Sequence, residues 1–490
     1  MNLEALVASG EQLNQALGRE WYLTGAGLKA DPAFTEIYDR HAVLQEADAF
    51  ACATASGIAA LREWIVDLRV SRRVAPFEER QLEWEQRASL SVLGREIPYL
   101  RAGIDLQNSP DRAFRIALDR ERGAVGAAAL NGLRRDRLAA EREVVSALAG
   151  DAEFVRAVAR LSGMDLDTLA GQAAALLEDT ADLYADALGR LTRRRVGVPA
   201  GELVRADSAW AFRADGHDAA FPPDRMLDTA VHQMRDMGLD ALAGGRITVD
   251  ADERPGKQPR AFCIPVRVPF EVYLVLRPSG GHGDYRTFWH ELGHAMHFAA
   301  VDPTRPFHER WLGDNSVTEG FAMLWDHLTL DAGWLGRYTQ MRQERQGGIA
   351  DLRFELAVSE LHMLRRYAAK LAYEMSLHRS DYGPAMADEY AERLSAATGF
   401  RYAGEDYLRD VDPGFYAARY LRAWQLEAAL ASGLVERFDE DWYRNPRAGA
   451  FVHALMEPGQ ASPADTVARQ VGRPGLSFTT AVARLTPLLA

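Results

Sequence analysis

A chain of 490 residues, 48% hydrophobic and 26% charged, has the composition of an ordinary globular protein and enough length for a large buried core. Its net charge of −13 argues against nucleic acid as a partner, because phosphate binding needs a basic face. Cys52 and Cys263 are too few for a disulfide framework and lack the spacing of a metal knuckle, so a reducing cytoplasm is the expected compartment. No basic cluster precedes an apolar run between Met1 and Glu11, so no leader peptide is expected. Nor does any stretch of about 20 apolar residues suggest a membrane span.

From Leu3 to about Arg195 the pattern is helical almost throughout. Leu61, Ile65 and Leu68 form one stripe, and Arg112 to Leu148 is rich in Ala, Leu, Arg and Glu. No catalytic motif occurs here, and residues 1–195 are expected to form a helical lobe. Glycine and proline crowd Val196 to Asp224, which marks a boundary before a catalytic domain over residues 196–490. A helix is expected from Pro223 to about Leu242. Then comes the one convincing β region, about residues 246–277, with short runs at Ile247–Val249, Ala261–Val268 and Glu271–Leu276. Pro265 cannot donate a ladder hydrogen bond, so its run reads as an edge strand. Either an extended peptide adds itself there, or the chain covers that edge itself.

His290-Glu291-Leu292-Gly293-His294 carries the chemistry. On a helix, residues four apart share a face, so His290 and His294 can aim at one ion with Glu291 beside them. Zinc is the natural occupant, and a catalytic zinc needs a third protein ligand. A third histidine of the metzincin kind would need a glycine where His297 stands, so that route closes. A glutamate on a second helix remains, and Glu319 is the best placed. Residues 298–315 read as the loop that turns the chain back between the two helices. Ser316-x-x-Glu319 also fits a capping box, and Asp326 is a second acid within reach of the site. His297 reads as a packed or supporting histidine, Asp284 as the N-cap of the first helix, and His282 as a loop residue. Helices return from Ile349, and a late helix carries Phe415 to Trp424.

These motifs together resemble the zinc oligopeptidases typified by thimet oligopeptidase and oligoendopeptidase F. The resemblance rests on Arg254-Pro255-Gly256-Lys257 followed by Ala261-Phe262-Cys263, on the extended run His290 to His297, and on Glu319 lying 25 positions after His294. Asn445-Pro446-Arg447-Ala448-Gly449, Pro458-Gly459 and Gly472-Arg473-Pro474 add to it. It covers about residues 245–475. It implies a mainly α, two-lobed helical metallopeptidase with a deep central channel and a small β-sheet beside the HExxH helix. It further implies one Zn2+ per chain, held by His290, His294 and Glu319, and short peptides as substrates.

In that family a late histidine and several tyrosines bind substrate and stabilise the oxyanion. A gap-free alignment on Gly414 and Trp424 puts Asp410 at the histidine, with Phe415, Arg419 and Arg422 at tyrosine positions. A shift of one residue recovers Tyr416 and Tyr420, four apart and on one face. Tyr416, Tyr420 or one of Arg419 and Arg422 is expected to meet the oxyanion beside the base Glu291, and Arg419 and Arg422 either bind a substrate carboxylate or lie on a solvated helix face. The expected activity is hydrolysis of oligopeptides through a zinc-activated water. The alternatives are a specialised zinc amidase acting on a small carboxylate-bearing metabolite, and a silent peptide-binding homologue. Oligomeric state is not written in the sequence.

Overall fold

The computed structural model of the chain describes residues 1–343 and 348–490, and most of them lie in helices. They gather into two compact units, each drawn from three segments. The first holds Met1–Ile65, Ala214–Arg353 and Arg422–Ala483, and the second holds Val66–Arg213, Phe354–Leu421 and Arg484–Ala490. Each unit thus takes residues from both sides of the division expected between 195 and 196. Among the described residues, no helix is long and apolar enough to cross a membrane.

In the first unit, helix α1 (Leu3–Gly25) packs on a three-stranded sheet of β1 (Ile247–Asp250), β2 (Phe262–Arg267) and β3 (Glu271–Val275). β3 is central, parallel to β1 and antiparallel to β2, with Cys263 opposite Leu274. β2 is an edge strand, as the proline inside it predicts. Alternation along β3 sends Tyr273 to one face and the fully buried Val272 and Leu274 to the other. Tyr22 of α1 stacks on Tyr273 at 3.7 Å between ring centroids, and Arg19 pairs with Glu271 at 2.7 Å. The N-terminal helix is therefore built into the sheet, which no local pattern in its own sequence announces. The Arg254–Lys257 motif closes the loop between β1 and β2. Lys257 Nζ donates to Asp250 Oδ1 at 2.9 Å and Arg254 to the same oxygen at 2.6 Å.

Helix α2 (His282–Ala300) carries the histidine motif and helix α3 (Asn315–Asp326) carries Glu319. The helix expected after Pro223 is present as Met226–Asp236, and Gly238, at φ +70°, turns the chain away before Leu242. Helix α4 (Tyr416–Phe438) runs from the second unit into the first.

The second unit is helical apart from a hairpin of Ser89–Val92 with Arg95–Pro98. Its longest helix, Arg112–Ala149, starts at Asp111, whose side chain accepts from the Phe114 amide, and ends at Gly150 in the left-handed region. Leu90, Val92 and Ile97 of the hairpin share a core with Phe114 and Leu118 of that helix.

Candidate metal centre

The start of α2 differs from expectation. Gly281, at φ +90°, is the N-cap, and His282 is the first helical residue, buried edge-on against Phe221 rather than sitting in a loop. Asp284 lies in the first turn, and its Oδ2 accepts from the amides of Ser279 and Gly280 at 2.7 and 2.9 Å. It ties down the incoming loop instead of capping the helix, because the helix begins three residues earlier than an N-cap at Asp284 requires. From there Phe288, Trp289, Leu292, Ala295 and Met296 bury α2.

Gly293 lets α2 and α3 approach closely. A Cβ there would stand 2.6 Å from Ala322 Cα and 2.7 Å from Trp325 Cδ1, so any larger residue would push the helices apart. The turn at residues 298–315 is partly helical, because α2 runs on to Ala300 and a short helix forms at Phe307–Arg310. α3 is capped by Asp314, whose side chain accepts from the Ser316 amide at 3.0 Å. Ser316 is thereby inside the helix, and the Ser316-x-x-Glu319 capping box does not form.

Glu319 instead faces the two histidines. Its Oε2 lies 3.4 Å from His290 Nε2 and 3.7 Å from His294 Nε2, and all three ligand atoms lie within 4.8 Å of one another. Ligand atoms at about 2.1 Å from a tetrahedral ion are about 3.4 Å apart, so the donor set fits a divalent ion. The outer ring nitrogens are also engaged. His290 Nδ1 donates to Asp326 Oδ2 at 2.9 Å, and His294 Nδ1 lies 2.9 Å from Thr318 Oγ1. A carboxylate accepts, so Asp326 holds a proton on Nδ1 of His290 and leaves Nε2 facing Glu319. Asp326, the other acid of the sequence reading, is thus a partner of a candidate ligand, His290. It lies seven residues after Glu319, two helical turns along the same face, and that spacing was the available signal. Thr318 and Arg286, whose Nε is 3.4 Å from Asp326 Oδ1, had no such signal.

The electrostatics favour a positive charge at this point. Burial lowers the pKa of His290, but its bonds to Asp326 and Glu319 more than reverse that and push it up to about 10. His294 is pushed down to about 4, chiefly by burial. His297 is fully buried beside Phe298 and Phe321 and pushed down to about 3 by burial; it is a packed neutral histidine. Glu291 Oε2 accepts from the Cys263 amide of β2 at 2.8 Å, and burial pushes its carboxyl up to about 7. The edge strand therefore holds Glu291 by a main-chain N–H, a contact with no signature in the sequence.

Arg422 is committed inside the first unit: its Nη2 bonds Asp314 Oδ2 at 3.1 Å and Asp465 Oδ2 at 2.9 Å. Tyr416, Arg419 and Tyr420 belong to the second unit. There all three are half-buried, and the rings of Tyr416 and Tyr420 meet edge-on at 5.1 Å, sharing a face as their spacing predicts. Phe415 is fully buried against Phe154 and His378, so in the gap-free alignment that position is core. Asp410 is also structural: Arg366 Nη2 reaches both its oxygens at 2.6 Å, and Tyr390 donates to it at 3.0 Å.

No family model matches the chain, and no curated protein matches it. Among solved structures, it is similar to the crystal structure of a "putative peptidase" from Chlamydophila abortus. The match has a TM-score of 0.66 and 12% identity, and covers 99% of this chain and 89% of that chain. At this identity the likeness shows the fold: a mainly helical chain with a small sheet beside the helix that carries His290 and His294.

Proposed function

We propose that the protein is a zinc metallopeptidase that hydrolyses peptide bonds in short oligopeptides. The observation that carries this reading is the convergence of His290, His294 and Glu319 from two helices, with Glu291 one residue from a ligand and held by the edge strand. A zinc ion held by these three residues would supply a water of lowered pKa and would polarise the scissile carbonyl. Glu291 is the general base. With Oε2 engaged by the Cys263 amide, Oε1 takes the proton of the attacking water and then delivers it to the leaving amine.

The substrate class has two supports. β2 is an edge strand next to Glu291, the kind of element an extended peptide lies along, although Glu291 already takes its Cys263 amide and Pro265 has no N–H to offer. The solved structure of similar fold carries the name of a peptidase. The sequence resemblance points to Tyr416 and Tyr420 for oxyanion stabilisation, and Arg419, where the chain departs from that family, offers a guanidinium to a substrate carboxylate. Arg422 drops out of that list because two carboxylates of the chain already hold it.

The test is a screen of zinc-loaded protein on quenched oligopeptides of graded length, run beside Glu291→Gln. Cleavage of short peptides by wild type and its loss in the variant support the reading. Zinc binding without hydrolysis of any peptide, or hydrolysis confined to small carboxylate-bearing amides, would reject it.

A further inference from the structure

Helix α4 meets α3 at three places, all inside the first unit. At the start of α3, Arg422 Nη2 bonds the N-cap residue Asp314, and the same nitrogen also bonds Asp465. Asp314 is otherwise occupied by amides: its Oδ1 accepts from Ser316 at 3.0 Å and its Oδ2 from Ala464 at 3.0 Å. Burial alone would raise the Asp314 carboxyl, yet Arg422 and these amides hold it below its usual range. In the middle of α3, Leu426 fills the space beside Gly320, the neighbour of Glu319. A Cβ at Gly320 would come within 2.7 Å of Leu426 Cδ2. Just past the end of α3, Glu427 Oε2 lies 3.0 Å from His327 Nδ1, while His327 Nε2 is 3.4 Å from Asp326 Oδ1. Asp326 in turn bonds His290. His327 and Glu427 are both deeply buried.

We propose that the segment Arg422–Glu427 of α4 is the positioning element of the metal centre. It fixes α3 at its cap, its middle and its end, so that Glu319 and Asp326 face the histidines of α2. The proposal rests on the metal-site reading above and adds residues to it that touch neither ion nor substrate. Its physical basis is that a ligand set holds an ion tightly only when its supporting contacts fix each donor in place. Loss of such contacts typically costs about 10–100-fold in metal affinity. Arg422 suits the task because the two N–H groups of its Nη2 can each meet a carboxylate. In this role Arg422 sets the position of a ligand, where the sequence alone suggested a contact with substrate.

The experiment is a zinc titration against a competing chelator, read as affinity and stoichiometry with no substrate present. Wild type, Arg422→Leu, Arg422→Lys and Glu427→Gln are compared, with the melting temperature of each zinc-free protein measured alongside. Arg366→Met, in the ion-pair cluster of the other unit, is the control for general destabilisation. Arg422→Leu is expected to weaken zinc binding about 10–100-fold, with Arg422→Lys falling between it and wild type. Arg366→Met should lower the melting temperature and leave zinc affinity as in wild type. Glu427→Gln, nearly the same shape, should also weaken binding and serves if Arg422→Leu does not fold. Wild-type affinity in both Arg422→Leu and Glu427→Gln would overturn the positioning role and leave the metal site standing. Failure of wild type to bind zinc at all would instead overturn the metal-site reading beneath it.

Discussion

Two groups of acids, one in each unit, show how differently the same kind of residue is used. In the second unit, Asp410, Asp412 and Glu374 surround Arg366 and Lys370, and Lys370 Nζ is 2.8 Å from Asp412 Oδ1. Burial alone would raise Asp410, yet Arg366 and Lys370 pull its carboxyl down to about 2. The chain brings permanent cations to these acids, and the cluster is closed. In the first unit, Glu319 and Asp326 converge instead on imidazoles, which carry a full charge only when protonated. The carboxylates push His290 up to about 10, whereas burial pushes the neighbouring His294 down to about 4. Acids held mainly by arginine and lysine close on themselves, whereas acids gathered around a pair of imidazoles on adjacent helices form a group that could hold a metal ion.

The sharpest way to break this comparison is to remove the base without touching the ligands. Glu291→Gln should retain zinc and lose about 10²–10⁴-fold or more in turnover, measured as kcat on a cleaved peptide beside metal content. Normal turnover would remove Glu291 from the mechanism. Next in size is the closed cluster. Asp410→Ala takes its carboxylate from the largely buried Arg366, while Lys370 keeps Asp412, and should cost about 3 kcal/mol of stability by denaturant unfolding while zinc affinity is unchanged. A change in zinc affinity with little loss of stability would reverse the roles assigned to the two clusters. Asp326→Asn should have the opposite profile: about 10–100-fold weaker zinc binding and a smaller change in stability.

The smallest effect concerns histidines without carboxylate partners. His362 bonds Tyr184 at 2.8 Å and His378 bonds Tyr382 at 2.9 Å, and burial pushes both down to about 3. Their folded pKa values lie below the ordinary 6.5, so the stability they contribute is fully present above pH 6.5. It is lost as pH falls from there toward 3. Each should cost about 1 kcal/mol between pH 6.5 and 5.5, a slope that His378→Phe reduces in pH-dependent unfolding. A variant with the wild-type slope would show that His378 is not buried neutral.

Much of this site was legible in the sequence for identifiable reasons. Histidines four apart on an apolar helix, and an acid on a second helix after a Pro- and Gly-marked turn, depend on local periodicity, and both helices are present. Pro265 likewise marked the edge strand, because a missing N–H is a property of one residue. The rest depended on partners distant in the chain. Ser316-x-x-Glu319 satisfied the capping rule as well as Asp314 did, and Asp314 prevails with support from Arg422 and Ala464, more than 100 positions away. Arg422 carried no sign of its two carboxylate partners. The union of α1 with the sheet was equally hidden, since Arg19 and Glu271 lie far apart in sequence.

The central claim is that His290, His294 and Glu319 form one binding site for a divalent cation. The direct measurement is zinc stoichiometry and affinity, after chelator treatment and reloading, in wild type, His294→Ala and Glu319→Ala. The account predicts one tightly held ion per chain in wild type and its loss in both variants. Retention of a full equivalent at wild-type affinity by Glu319→Ala would contradict it.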